Sequence, residues 1–213
     1  MEEEVAVLNW WRGTFSPALQ ATRMGLRSAA TTVTRDREAS KRVVGRLKTR
    51  DSTVTKLCRE PQSNLLKMED LAGCRVVLDS PEQVYAMVDR LRHAPKLDFD
   101  VDRDLDDYVE APRLSGYRAV HVHGRRDGRQ VEIQLRTRIQ HQWAVAVETI
   151  GRNLGVDAKH GEGPAELHAY FVMVSEVNGY QDRDLDVPGS ALAGAQVAFA
   201  RLMVTLAPMH TGA

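Results

Sequence analysis

The sequence predicts an α+β fold, a mixed sheet of about five strands flanked by helices. Three observations carry that expectation. Apolar residues recur at helical spacing near both ends of the chain, period-two alternation occupies residues 97–101 and 117–137, and an amphipathic pattern over 81–93 follows a short buried run. At 213 residues, 43% hydrophobic and 27% charged, the chain is sized and composed for one globular core. The expected division is a core over 1–155, N-terminal helices included, with 156–213 as a C-terminal helical extension of the same domain.

Residues 5–31 place Val7, Leu8, Trp11, Phe15, Leu19, Met24 and Leu26 at mixed three and four spacing. This reads as two helices broken near Gly13–Ser16, with Ser16 as N-cap and Pro17 in the first turn. Val43-Val44 opens a strand that ends in a basic stretch, followed by a turn at Asp51 and a short helix from Ser52. A loop spans 60–68, a buried strand 72–78, and a helix 81–93 with Val84, Met87, Val88 and Leu91 on one face. Leu97, Phe99 and Val101 then alternate with aspartates as a strand does. After a loop over 111–116, residues 117–125 and 130–137 alternate on either side of Asp127-Gly128, a hairpin turn signal. Three helices, over 138–152, 164–179 and 190–206, complete the chain.

Lysines and arginines balance aspartates and glutamates at 29 each, so the formal charge is zero and no global field gathers nucleic acid or an anionic membrane. Any polyanion site must be local. Basic residues concentrate between Arg35 and Arg59, acidic ones between Asp98 and Glu110. Cys58 and Cys74 lack the paired spacing of a zinc or redox site, which suits a reducing, cytoplasmic setting. The start Met1-Glu2-Glu3-Glu4 is acidic where a secretory leader is basic, and no apolar run approaches the roughly 20 residues of a membrane span. No membrane association is expected.

Four groups carry chemistry. Arg46, Lys48, Ser52 and Lys56 run from a strand end into a helix start, where free amides and the helix dipole make a phosphate cradle; a basic solvated edge has the same spacing. Asp70 precedes the 72–78 strand and Glu132 lies between Val131 and Ile133. Carboxylates so near a core are paired or metal-bound: beside phosphate-binding cations a shared Mg²⁺ fits, and a salt bridge to Arg75 or Arg136 is the alternative. Arg113, Tyr117 and Arg118 set an aromatic on a glycine-containing turn beside guanidinium groups, a place for a base to stack or for a ring to pack on the sheet. Finally, Glu132, Gln134 and Arg136 share one strand face.

In order, these groups resemble the synthetase domain of the RelA/SpoT family, whose motifs are met by Arg46–Lys56, Asp70-Leu71-Ala72-Gly73-Cys74-Arg75, Arg113–His121 and Glu132–Thr137. Four ordered motifs over roughly 90 residues form a specific match. Gln140-His141-Gln142-Trp143-Ala144 is similar to the small single-domain branch. The resemblance implies a nucleotidyltransferase-like sheet and an enzyme that moves the β,γ-pyrophosphate of ATP to the 3′-hydroxyl of GDP or GTP, making (p)ppGpp. It implies that Arg46 brackets adenine, that Lys48, Ser52, Lys56 and Arg75 hold ATP, and that Asp70 and Glu132 bind Mg²⁺. Glu132 would also help deprotonate the 3′-hydroxyl. Tyr117 would stack on guanine, with Arg113, His121, Gln134 and Arg136 on the acceptor side. Arg113, Ser115 and Ala119 depart from the family's lysine, asparagine and serine, which alters how the acceptor is held.

Two other readings accompany this one. A toxic sub-branch with the same motifs pyrophosphorylates the 3′-terminal adenosine of tRNA and would bring an antitoxin partner; a catalytically inactive nucleotide sensor would keep the fold without needing both carboxylates. No His-Asp dipeptide occurs, so alarmone hydrolysis is not expected. The C-terminal helices could serve a homo-oligomer or cover the sheet.

Overall fold

The computed structural model describes residues 2–60, 62, 64–94, 96–98 and 104–207. Its backbone contacts form two compact units, Met1–Asp106 with Val120–Leu135, and Asp107–Ala119 with Arg136–Ala213. Gly155, where the sequence suggests the catalytic core ends, lies inside the second unit as the left-handed C-cap of a helix.

The first unit opens with helices α1 (Glu2–Gly13) and α2 (Ser16–Thr34). Helix α2 buries Leu19, Thr22, Leu26, Ala29 and Ala30, a stripe at three and four spacing that packs on the sheet. Ser16 is not its cap. With only Thr14 and Phe15 between the helices, Phe15 already has helical backbone and its carbonyl accepts from the Leu19 amide at 3.0 Å, so Ser16 is inside.

Strand β1 (Val43–Leu47) leads to α3 (Arg50–Arg59), then β2 (Ala72–Leu78) and α4 (Pro81–Arg92). Helix α3 begins two residues before Ser52, because Thr49 is extended and its hydroxyl accepts from the Ser52 amide at 3.2 Å. Asp51 therefore sits in the first helical turn, where the dipole favours a carboxylate, and forms no turn of its own. A short 3-10 turn, Leu65–Lys67, lies within the predicted 60–68 loop.

The sheet is completed by β3 (Leu105–Asp107), β4 (Val120–Arg126) and β5 (Arg129–Thr137), in the order β1-β2-β5-β4-β3. It is a mixed five-stranded sheet flanked by helices, as the sequence predicts. Of the alternating run from Leu97, Asp98 pairs with Arg125 as an isolated bridge, and residues 99–103 lie outside the described residues. The β4–β5 hairpin turns on Asp127 and Gly128, both at positive φ (50° and 75°), the conformation of a two-residue primed turn.

In the second unit, α5 (Arg138–Leu154) starts from a capping box: Thr137 accepts from the Gln140 amide at 3.2 Å and Gln140 accepts from the Thr137 amide at 3.1 Å. Helices α6 (Ala165–Gln181) and α7 (Gly189–Leu206) follow. Trp143, Val147, Leu167, Phe171 and Leu202 form this unit's core, and the Trp143 indole donates to the Phe171 carbonyl at 2.9 Å. By length and composition α7 could cross a membrane, which qualifies the expectation from apolar runs; an α7–α6 contact is also present.

Candidate active site

Alternation along the strands divides the first unit's sheet into two faces. Val43, Cys74, Val76, Val120, Val122, Val131, Ile133 and Leu135 are buried on the face that α2 covers. Burial pushes the Cys74 thiol up to about 12 despite the nearby Arg23 charge, so it behaves as an apolar core group. The other face carries Arg46 and Arg75 from β1 and β2, and His121, His123, Glu132 and Gln134 from β4 and β5. Directly across from Arg46 stands Gly73, where an added Cβ would meet only the Arg46 carbonyl oxygen at 3.9 Å. That position leaves open sheet beside an exposed guanidinium.

The segment after β1 is held tightly. The Lys48 amide donates to the Leu71 carbonyl at 2.9 Å, extending the β1–β2 pairing by one bond. Thr49 caps α3 and also donates its hydroxyl hydrogen to Ser52 Oγ at 2.7 Å. Lys48 and Lys56 converge on one carboxylate: Lys48 Nζ lies 2.8 Å from Asp70 Oδ2 and Lys56 Nζ 3.1 Å from Asp70 Oδ1. Burial pushes the Asp70 carboxyl up, but the Lys48 hydrogen bond and the two ammonium charges outweigh it and hold it below its ordinary 3.8. The salt bridge to Arg75 or Arg136, the alternative to Mg²⁺ that the sequence leaves open, is not the one Asp70 makes; its partners are Lys48 and Lys56.

Glu132 is built likewise. His121, buried on β4, places Nδ1 2.9 Å from Glu132 Oε1, and Gln134 donates to Oε2 at 3.0 Å. Burial raises this carboxyl, yet the His121 hydrogen bond and charge, the Gln134 amide and the His123 charge bring it down to about 2. Next to it, His123 lies between Glu69 (3.3 Å) and Asp106 (3.2 Å). Among the described residues no group of three or more His, Cys, Asp or Glu has a metal-ligand arrangement. Two ionised carboxylates suit a hard cation that draws its other ligands from phosphate and water, the habit of Mg²⁺.

The second unit holds an alternating ladder of rings and guanidinium groups. Arg113 lies 4.1 Å from the Tyr108 ring centroid and 5.8 Å from that of Tyr117, and Arg136 lies 4.9 Å from the Tyr117 centroid. Arg136, itself buried, donates to the Tyr117 hydroxyl at 2.6 Å. Tyr108 and Trp143 meet the Tyr117 ring edge-on, with centroids 5.9 and 6.4 Å away.

Residues 45–150 match the sequence family described as the region found in RelA and SpoT proteins. The chain belongs to the RelA/SpoT family. An uncharacterized protein of Mycobacterium tuberculosis is 34% identical over 134 residues, covering 61% of this chain and 46% of that protein. A GTP pyrophosphokinase of Photobacterium angustum is 29% identical over 140 residues, 61% of this chain and 17% of its own length. The chain thus spans less than half the length of these relatives. Among solved structures, small alarmone synthetase 1 of Bacillus subtilis bound to its product pppGpp superposes with TM-score 0.68 at 21% identity, over 80% of this chain and 90% of that one. A GTP pyrophosphokinase family protein of Streptococcus pneumoniae gives 0.65 at 22%, over 82% and 90%. At these identities the structures establish a shared fold.

Of the RelA/SpoT motif residues, the structure groups Arg46, Lys48, Ser52, Lys56, Asp70, Arg75, His121, Glu132 and Gln134 in the first unit, and Arg113, Tyr117 and Arg136 in the second. His121 and Gln134, placed on the acceptor side by resemblance, are here the two partners of Glu132. Sequence reasoning passed over Tyr108 and His123. His123 has a signal, since it shares a strand face with His121, whereas Tyr108 sits in an acidic run that hides it.

Tyr117 has both a ring face and a packed edge, which separates two substitutions. Tyr117→Phe loses the Arg136 hydrogen bond and is expected to cost about 1 kcal/mol. Tyr117→Ala also removes the contacts with Trp143 and Tyr108, for about 2–4 kcal/mol. Urea denaturation of both variants checks the order, and equal losses would contradict the edge packing.

Proposed function

We propose that this RelA/SpoT protein is a pyrophosphokinase that transfers the β,γ-pyrophosphate of ATP to the 3′-hydroxyl of GDP or GTP. The observation that carries the reading is the pair of ionised carboxylates, Asp70 and Glu132, in one unit with two lysines, Lys48 just ahead of α3 and Lys56 in its last turn. The product-bound state of the Bacillus synthetase and the activity named for the Photobacterium relative support it.

In this reaction the 3′-oxygen bonds to the β-phosphorus, the bond from that phosphorus to the α,β-bridging oxygen breaks, AMP leaves with the electron pair of that bond, and the hydroxyl proton passes by way of Glu132 to solvent water. Lys48 and Lys56 would exchange Asp70 for the donor's phosphate oxygens, with the α3 N-terminus adding its partial charge. Asp70 and Glu132 would hold Mg²⁺, which when bound neutralises charge on the transferring group. A carboxylate held near 2 stores a proton poorly. Glu132 therefore orients the hydroxyl as a hydrogen-bond acceptor, and gains basicity only when substrate displaces His121. Arg46 would bracket adenine over the open sheet at Gly73, and Tyr117 with Arg113 would hold the acceptor base.

Incubation with ATP labelled in its β-phosphate, Mg²⁺ and GDP, GTP or tRNA tests the reading. Label on a guanine nucleotide supports it. Label on tRNA instead favours the RNA-modifying sub-branch, and no label with intact ATP binding favours a sensor.

A further inference from the structure

Arg12 lies in the last turn of α1, 36 positions before Lys48, and belongs to none of the family motifs. Its side chain nevertheless reaches the donor cradle. Arg12 Nε donates to the Lys48 carbonyl oxygen at 2.8 Å, and Nη1 donates to Asn9 Oδ1 at 3.1 Å, which orients the guanidinium from within its own helix. Lys48 stands between β1 and α3, outside regular structure, so its peptide groups need partners from elsewhere. Leu71 takes the amide and Arg12 takes the carbonyl. With both ends of the residue held, the Lys48 ammonium stands 2.8 Å from Asp70 Oδ2.

Helix α1 is itself anchored beside this contact. Arg129, at the start of β5, lies 4.8 Å from the Trp11 ring centroid and 5.1 Å from that of Phe15. The residue next to Arg12 is thus docked on the strand that carries Glu132. A cationic donor to a backbone carbonyl is among the stronger hydrogen bonds.

We propose that Arg12 is a positioning residue for donor binding: by holding the Lys48 carbonyl it sets where the Lys48 ammonium meets the ATP phosphates. This rests on the pyrophosphokinase reading. The role is orientation of a neighbour, with no contact to the reacting atoms.

The test compares wild type, Arg12→Ala, Arg12→Lys and Asn9→Ala in the transfer assay with ATP and the acceptor varied separately, alongside calorimetry with a non-hydrolysable ATP analogue. Arg12→Ala is expected to raise KM for ATP and the analogue's Kd about tenfold, the loss of one charge-assisted hydrogen bond, while KM for the acceptor stays as in wild type. Arg12→Lys, which keeps a charged donor, should recover part of the loss, and Asn9→Ala, which removes the bond that orients the guanidinium, should show a smaller loss of the same kind. The proposal is overturned if Arg12→Ala binds the analogue as wild type does, or if it weakens ATP and acceptor alike, the pattern of general unfolding. Absence of transfer in wild type would count against the pyrophosphokinase reading alone, because the calorimetric comparison still decides the role of Arg12.

Discussion

Glu132→Gln is expected to lower pyrophosphate transfer roughly 10²–10⁴-fold, the usual reach of a positioned acid–base group, while the far-UV circular dichroism of the variant stays that of wild type. The substitution preserves shape and removes the charge that His121 and Gln134 surround. It also predicts a change in acid stability whose sign follows from the carboxyl's value of about 2 against an ordinary 4.5. A carboxyl depressed by folding contributes stability that is complete above the ordinary value and is lost as pH falls towards the folded one. Wild type should therefore lose more stability than Glu132→Gln between pH 4.5 and 2, by on the order of 3 kcal/mol at most. Urea midpoints across that window measure it. Parallel curves for the two proteins would remove the His121 contact as the cause, and near-normal turnover would remove Glu132 from the chemistry.

Gly116→Ala is expected to be the most destabilising small substitution in the second unit. The residue has φ of +86°, and a Cβ there would stand 2.9 Å from Ser175 Cβ, 3.2 Å from the Phe171 carbonyl oxygen and 3.2 Å from Val172 Cα. Two of those atoms are helix backbone and cannot step aside. Strain at positive φ adds about 1–2 kcal/mol, and the overlap about 1–3 kcal/mol more. Ser175 Oγ donates to the Gly116 carbonyl and accepts from Arg118 Nε at 3.2 Å, so the loop holding Tyr117 moves with the helix. Thermal unfolding should show the loss, and guanine-nucleotide binding should weaken with it. A variant as stable as wild type would mean that the loop and α6 do not pack in this way.

Much of this was legible in the sequence because the signals are local. Alternating Val120, Val122, Val131, Ile133 and Leu135 around Asp127-Gly128 specify a hairpin, and the same alternation puts Glu132 and Gln134 on one face. The start of α3 was misplaced for a reason of geometry. Threonine and aspartate both cap helices, and only backbone dihedrals show that Thr49 is extended while Asp51 has entered the first turn. The pairing of Asp70 with Lys48 and Lys56 joins residues 22 and 14 positions apart, and Arg12 reaches across 36. No periodicity links such positions. The division into units was hidden as well: the last of its three crossings falls within β5, where a strand pattern continues unbroken from Leu135 to Arg136.

The two-residue turn at Asp127-Gly128 has a bearing on heredity as well as on folding. Surface loops ordinarily absorb inserted or deleted residues with little harm. Here a single-residue insertion that slipped β5 against β4 would exchange the two faces of the strand, sending Glu132 and Gln134 towards α2 and Ile133 towards His121. A lesion outside every family motif would thus disable the proposed chemistry as surely as removal of the carboxylate. Length at this turn is constrained by chemistry carried elsewhere on the hairpin.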